Sequence, residues 1–263
     1  MLDTYLDVAI RAARIGGAVL VEYFDRVHTS RTKNENLRDL VTEVDLLSEK
    51  GIKQIIRESF PEHSIVAEES GVESRDTSRV WHIDPLDGTV NYSQGIPFCA
   101  VSVGMEENGV LKAGAVYNPF ADELFYAARG KGAFLNGRPM QVSGKKNFRD
   151  GLYVGAFSSV ASSSKAAEYA AFGAVNDGSR GALRLGSAAV ALAYVASGRI
   201  DGFWAKDLYS WDLAGGVLLI EEAGGRAGGA GDTPFDFGQS LQVASNGLVH
   251  AELARLLEAH GVR

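Results

Sequence analysis

Near the N-terminus, apolar residues fall at Leu6, Ile10, Ala13, Gly17, Leu20 and Phe24. Steps of three and four lay one stripe along a helix, and Asp3 or Thr4 is placed to cap it. A second helix is predicted from about Thr42–Asp45, turning Leu47, Ile52, Ile55 and Ile56 inward and stopping before Pro61, which bars helical geometry at Phe60. Between them, Thr29 to Asp39 is polar and charged and predicts a mobile loop. From Ile65 the pattern shortens. Ile65–Ala67, Val80–Ile83, Cys99–Met105, Val110–Tyr117, Glu123–Ala127 and Ala133–Leu135 read as strands. Glu107-Asn108-Gly109, Pro119–Asp122 and Asn136-Gly137 supply turns so short that they join antiparallel neighbours, which predicts a meander rather than a βαβ series.

The second half is predicted to begin around Gly144–Gly151. Gly186-Ser187 reads as the cap of a helix over Ala188–Ala196, followed by a strand at Ile200–Trp204. A helix from Asp212 to Glu222 closes on Gly224-Gly225. Gln242–Ser245 then predicts a last strand and Leu248–His260 a last helix. Gly224–Gly231 lacks the Lys-Ser/Thr of a phosphate-binding P-loop and reads as a turn region. Alternating helices and antiparallel strands predict stacked layers of both kinds.

Composition acts mainly by exclusion. The 263 residues are 46% hydrophobic and 22% charged, ordinary for a soluble globular protein. A net charge of −7 argues against a nucleic-acid backbone as partner, and none is expected. The lone Cys99 cannot form an internal disulfide and fits a reducing compartment. The N-terminus lacks the layout of a signal peptide, and no apolar run nears the roughly 20 residues of a membrane span. A cytoplasmic protein without membrane attachment is expected.

Candidate chemistry is concentrated in carboxylates. Asp84-Pro85-Leu86-Asp87-Gly88-Thr89 follows directly on an apolar strand. Pro85 interrupts the ladder, Gly88 permits a tight turn, Thr89 is placed to cap a following helix, and the Gly88 and Thr89 amides can face an anion. Glu68-Glu69 ends another strand, and Asp212 opens a helix after Trp211. Taken singly, each has a plainer account: an Asp at a helix start is more often a cap, and an acidic pair is often a solvated turn. Together, carboxylates ending separate elements would repel one another unless a cation lay between them. Hard oxygen donors suit Mg²⁺, whereas zinc-type spacing of the five His and single Cys is absent.

At this point the chain resembles the inositol monophosphatase family in five ordered segments. These are Asp39–Asp45, Ala67-Glu68-Glu69-Ser70, Trp81–Tyr92, Gly130–Gly137, and Trp211–Gly216 followed by Glu222–Gly225. The resemblance implies a layered αβαβα sandwich with largely antiparallel sheets. It implies one domain over 1–263 in two packed halves, about 1–143 and 144–263, and a homodimer. It further implies a phosphoric monoester hydrolase with two Mg²⁺ and a weaker third. Glu68, Asp84 and the Leu86 carbonyl would hold one ion, and Asp84, Asp87 and Asp212 a second, with the third near Glu68. Asp45 and Thr89 would orient and activate water. Gly88, Thr89, Asp87, Gly186, Ser187, Ala188 and Asp212 would contact substrate, and lithium would inhibit.

The first substrate implied is inositol 1-phosphate. Fructose 1,6-bisphosphate, histidinol phosphate and a 3′-phosphonucleotide are alternatives, as is a non-catalytic regulatory protein on the same scaffold. One departure bears on the choice. The family's inositol-binding Glu lies seven residues before the second-signature Asp, and here that position is Ala205. Lys206 and Asp207 are the polar neighbours available to replace it.

Overall fold

The computed structural model describes residues 2–24, 30–32, 40–157 and 165–263, without the side chains of 30–32, 40–42 and 232. Helix α1 (Leu2–Tyr23) leads to an antiparallel pair, β1 (Ser30–Thr32) and β2 (Leu40–Thr42), and then to α2 (Glu43–Ser59). The loop expected over Thr29–Asp39 is thus corrected at Ser30–Thr32, whose backbone pairs with β2; Thr29 and 33–39 lie outside the described residues. Next come β3 (His63–Ala67), β4 (Gly71–Glu73), β5 (Asp76–Asp87) and the short helix α3 (Thr89–Ser93). Strands β6 (Ala100–Glu107), β7 (Val110–Asn118), β8 (Glu123–Ala128), β9 (Ala133–Leu135) and β10 (Arg138–Met140) continue the chain. These strands form one sheet in the order β10-β9-β8-β7-β6-β5-β3-β4. Its β5–β10 part is the antiparallel meander read from the turns, but β3 and β5 run parallel because the hairpin strand β4 intervenes between them in the chain.

The remaining chain comprises β11 (Leu152–Ala156), α4 (Lys165–Gly178), β12 (Gly181–Leu183), α5 (Ala188–Ala196), β13 (Gly202–Lys206) and α6 (Ser210–Glu222). It ends with β14 (Arg226–Gly228), β15 (Leu241–Ser245) and α7 (His250–Ala259). A second sheet has the order β12-β11-β13-β15-β14. β14 corrects the turn reading of Gly224–Gly231, since Arg226–Gly228 pairs with Ser245–Val243 of β15.

Among the described residues three apolar cores hold five layers together, the middle core lying on both sides of the central helices. α1 and α2 cover one face of the large sheet, burying Tyr5, Ala9, Leu20, Ile52 and Ile56 against Trp81, Ile83, Val101 and Val103. The buried face of α1 is centred on Tyr5, Ala9, Ala12 and Gly16, one residue before the expected stripe, and Leu47 of α2 is exposed. The opposite face meets α5 and α6, which also rest on the small sheet through Phe203, Ala205 and Ala244. α4 and α7 cover the far side, where Trp204, Val243 and Tyr153 meet Ala171, Val175, Leu253 and Leu257. The alternation Phe203-Trp204-Ala205 puts successive residues of β13 into different cores, as the strand repeat requires. A helix between two sheets must be apolar on nearly every side. α5, AAVALAYVA, and the Leu213–Ile220 segment of α6 have that character, and almost all of both is buried. This is the αβαβα sandwich.

Two local devices set the site. In a regular strand, residues three apart face opposite sides. Between β5 and β6, Asp84 pairs with Ser102 but Asp87 with Ala100, so β5 carries one extra residue at the Pro85-Leu86 step. That bulge reverses the phase and sends both carboxylates to the α5–α6 side. The second device is a close approach: a Cβ on Gly104 of β6 would lie 2.4 Å from the Cβ of Ala214. A glycine there lets the first turn of α6 settle against the sheet.

Candidate active site

Asp84, Asp87 and Asp212 each offer a carboxylate oxygen, and these atoms lie within 4.8 Å of one another. Asp84 is the last regular residue of β5 before the bulge, and its Oδ1 accepts a hydrogen bond from the Leu86 amide at 3.0 Å. Asp87 meets the start of α5. Its Oδ2 accepts from the Ser187 hydroxyl and from the Ala189 amide (2.7 Å), and its Oδ1 from the Ala188 amide (3.1 Å). Ser187 is also the cap of α5, accepting from the Val190 amide at 3.2 Å. Asp212, in the first turn of α6, accepts from the Tyr209 amide at 2.7 Å.

Despite these donors, all three carboxyls titrate above the ordinary range. Burial is the first cause for each. For Asp84 the charges of Glu68, Asp87 and Asp212 add to it, and for Asp212 those of Asp87 and Glu68. Like charges packed this closely resist ionising together. Burial and the nearby charges of Asp87, Asp45 and Asp84 also push the Cys99 thiol far up, so it stays neutral.

Glu68 follows β3, half-buried, with its amide donating to the Ile83 carbonyl at 3.1 Å. Its charge is felt at Asp84 and Asp212, although it stands outside the three-carboxylate group. The turn that carries it is gripped by α2. Glu49 Oε2 accepts from the Glu69 and Ser70 amides at 2.9 and 3.3 Å, and Lys53 donates to the Ser70 hydroxyl at 2.9 Å. Asp45, four residues before Glu49 on α2, is 1% exposed.

Thr89 is not the cap expected of it. Gly88 holds that position at φ 98°, a left-handed conformation that favours glycine. The Thr89 hydroxyl instead donates to the Leu86 carbonyl at 3.0 Å, which joins two of the expected site residues. Gly186 lies against α3: a Cβ there would meet the Asn91 amide at 2.8 Å, and Asn91 donates to the Leu185 carbonyl at 2.9 Å. Ser187 and Ala188, expected at the substrate, direct their donors to Asp87. Ala205 is fully buried and stands opposite Gln242 in the ladder. Asp207 has a φ of 57°, and its carboxylate accepts from the Ser240 hydroxyl at 2.9 Å.

Sequence reasoning passed over Glu49, His82 and Ser210. The spacing of Glu49, Lys53 and Arg57, four residues apart on one helix face, was an available signal. So was a histidine inside the apolar run before Asp84.

A sequence profile of the inositol monophosphatase family matches residues 1–261. The chain belongs to that family. Relatives by sequence include an inositol-1-monophosphatase of Synechocystis sp., 38% identical over 98% of this chain and 90% of its own. A protein of Haemophilus influenzae named Nus factor SuhB is 37% identical over 93% and 90%. A fructose-1,6-bisphosphatase/inositol-1-monophosphatase of Aquifex aeolicus is 37% identical over 95% and 93%. Among solved structures, the inositol monophosphatase of Anabaena superposes with a TM-score of 0.87 at 40% identity, covering 98% of this chain and 96% of that one. As an inositol monophosphatase family member the protein is a phosphoric monoester hydrolase acting on small phosphorylated substrates. Among the described residues no helix is long and apolar enough to cross a membrane.

Proposed function

We propose that this family member hydrolyses a small phosphate monoester, inositol 1-phosphate first, using Mg²⁺ held by Glu68, Asp84, the Leu86 carbonyl, Asp87 and Asp212. The supporting observation is the meeting of three raised-pKa carboxylates within 4.8 Å. A divalent cation would remove the repulsion that keeps them from ionising together. The donors are all hard oxygens, with no His or Cys in the group, which suits Mg²⁺ better than zinc. Glu68, Asp84, the Leu86 carbonyl, Asp87 and Asp212 would hold two such ions, as the family resemblance implies, and Glu68 would help hold a weaker third. Bound there, Mg²⁺ supplies Lewis acidity toward the phosphate and the attacking water.

The chain's own residues do the rest. Asp45 acts as the base that takes a proton from water, and the Thr89 hydroxyl, fixed by its bond to Leu86, orients that water. The Gly88 and Thr89 amides hold phosphate oxygens at the start of α3. Gly186, Ser187 and Ala188, tied to Asp87, shape the side where the alcohol lies. The same reading takes the whole chain as one catalytic domain, and a homodimer and lithium sensitivity come with family membership. Fructose 1,6-bisphosphate is a second substrate reading, favoured by the double name of the Aquifex relative.

Phosphate release is to be measured over inositol, sugar, nucleotide and amino-alcohol phosphates, with Mg²⁺ and with EDTA. Mg²⁺-dependent release, highest on inositol 1-phosphate, is expected. Equal release in EDTA would remove the metal site, and a different best ester would replace the substrate while leaving the site.

A further inference from the structure

His82 lies two residues before Asp84 on β5, and Ser210 two residues before Asp212 at the start of α6. Residues two apart on a strand share a face, so His82 and Asp84 both look toward α6. His82 Nδ1 and Ser210 Oγ are 2.9 Å apart. The imidazole is 5% exposed, and the Phe237 ring lies 5.1 Å from it, centroid to centroid. Its Nε2 is 3.3 Å from Glu106 Oε2, a close contact rather than a well-aligned hydrogen bond. That carboxylate favours the tautomer with the proton on Nε2, which leaves Nδ1 to accept from the Ser210 hydroxyl. Across from His82 in the ladder is Gly104, the residue whose missing side chain admits α6.

β5 and α6 therefore face each other through two adjacent contacts of opposite character. His82–Ser210 attracts. Asp84–Asp212 repels whenever both carboxyls are ionised. We propose that His82 and Ser210 are positioning residues, a clamp that fixes the separation of Asp84 and Asp212 so that the pair need not close up on a cation. The inference rests on the reading of those carboxylates as divalent-cation ligands. It requires no change in the charge of His82. An arrangement of carboxylate, imidazole and hydroxyl is also how a serine nucleophile is activated. However, Ser210 lies two residues before Asp212 and its partner His82 two residues before Asp84, an acidic neighbourhood unfavourable to negative charge on an attacked group.

The test is calorimetric titration with MgCl₂ of the wild-type protein, Ser210→Ala, Ser210→Thr and Asp84→Asn, with melting curves in EDTA and in Mg²⁺. Ser210 is half-buried at a helix start, so the alanine variant is the one suited to retain the fold. A single neutral hydrogen bond predicts a three- to tenfold weaker Mg²⁺ affinity in Ser210→Ala, about the value of one such bond. Ser210→Thr, which keeps the hydroxyl, should bind nearly as the wild type does. His82→Asn, whose amide oxygen can stand in for Nδ1, should fall between them. A merely structural role would lower the melting temperature equally in EDTA and Mg²⁺ and leave the affinity unchanged; that result overturns the clamp. Failure of the wild type to bind Mg²⁺ overturns the metal-site reading and the clamp with it. Fluorophosphonate labelling of Ser210, abolished in His82→Asn, would identify an activated nucleophile and overturn the positioning role.

Discussion

Replacing Asp84 by Asn should stabilise the metal-free protein while removing its catalysis. The carboxylate oxygens of Asp84, Asp87 and Asp212 lie within 4.8 Å of one another. At an effective dielectric of about 20, two unit charges at that distance repel by about 3.5 kcal/mol. Asp84 takes part in two such pairs and also feels Glu68. Shared protons and the amide and hydroxyl donors around the cluster relieve most of this, leaving about 1–3 kcal/mol to be gained. Asparagine keeps an oxygen to accept the Leu86 amide, so that bond survives. At about 2–4 °C per kcal/mol for a chain of this size, the melting temperature in EDTA should rise by about 2–12 °C. Mg²⁺ should then add nothing further, and turnover should fall by several orders of magnitude. Differential scanning fluorimetry in EDTA and in Mg²⁺, paired with phosphate release, is the assay. A variant less stable than wild type in EDTA, or one that Mg²⁺ still stabilises, would refute the reasoning.

Acidity should relieve the same repulsion. The folded-state pKa values of Asp84, Asp87 and Asp212 are raised, so the folded state binds more protons than the unfolded one above the ordinary carboxylate range. Their stabilising contribution is complete below about pH 4 and is lost as pH rises through the raised values. His63 works in the opposite sense: burial lowers its pKa, so its contribution is lost on acidification below the ordinary histidine value of 6.5. The comparison must therefore be wild type against Asp84→Asn. In EDTA the stability advantage of the variant should grow from pH 5 to pH 8, whereas Mg²⁺ affinity of the wild type should weaken on acidification because protons compete for the ligands.

Asp45→Asn should lower kcat by about 10²–10⁴ with a much smaller change in KM and a nearly normal melting curve; lost stability with normal turnover would make Asp45 a helix-start residue only. Lithium chloride in the high millimolar range should inhibit relative to matched NaCl, since Li⁺ can enter an oxygen site with half the charge of Mg²⁺. Gly104→Ala should destabilise by about 1–3 kcal/mol and weaken Mg²⁺ binding, because its Cβ would sit 2.4 Å from that of Ala214. Ala205→Glu should favour inositol 1-phosphate over glycerol 2-phosphate by about 1–2 kcal/mol in kcat/KM, at the expense of melting temperature, because the side chain starts from a fully buried position; a folded variant with unchanged selectivity would remove the role of this position.

The parts of the fold legible in the sequence were those with local signals. Asn108 and Gly109 both adopt positive φ between β6 and β7, as an Asn-Gly hairpin turn predicts. α6 ends on Gly224 at φ 85° for the same kind of reason. The segment from 152 to 183 gave no such signal. α4 buries only Glu168, Ala171 and Val175 among its described residues, so its stripe is made of small or polar side chains. β11 is a five-residue strand with parallel neighbours on both sides, and no turn marks a parallel partner. The parallel pairing of β3 with β5 was invisible for that reason too.

For the site, residue identity was legible but engagement was not. Asp84, Asp87 and Asp212 announce themselves by their motifs. That Asp87 faces the same side as Asp84 depends on a bulge, and bulges are a property of a strand pair rather than of one strand. Ser187 and Ala188 were expected at the substrate, yet their donors are directed to the Asp87 carboxylate. Thr89 looked like a cap, and Gly88 displaced it by adopting a conformation closed to threonine.

The placement of the cluster follows from the central helical layer. A helix N-terminus carries about half a positive charge and unpaired amide donors. Two such ends meet here: α5 directs the Ala188 and Ala189 amides at Asp87, and the amide before α6 bonds Asp212. Only Asp84, on the strand, has no helix end of its own, and burial with the charges of Glu68, Asp87 and Asp212 carries its pKa well above the usual range. α5 and α6 are in turn locked together, since a Cβ on Gly216 would come within 2.5 Å of the Leu192 Cβ. Enlarging Gly216 would move one helix end relative to the other and alter the separation of Asp87 and Asp212 without touching either. The small sheet therefore bears on the cluster although it supplies no carboxylate to it: Phe203, Ala205 and Ala244 pack on α5 and α6, whose N-terminal ends hold Asp87 and Asp212.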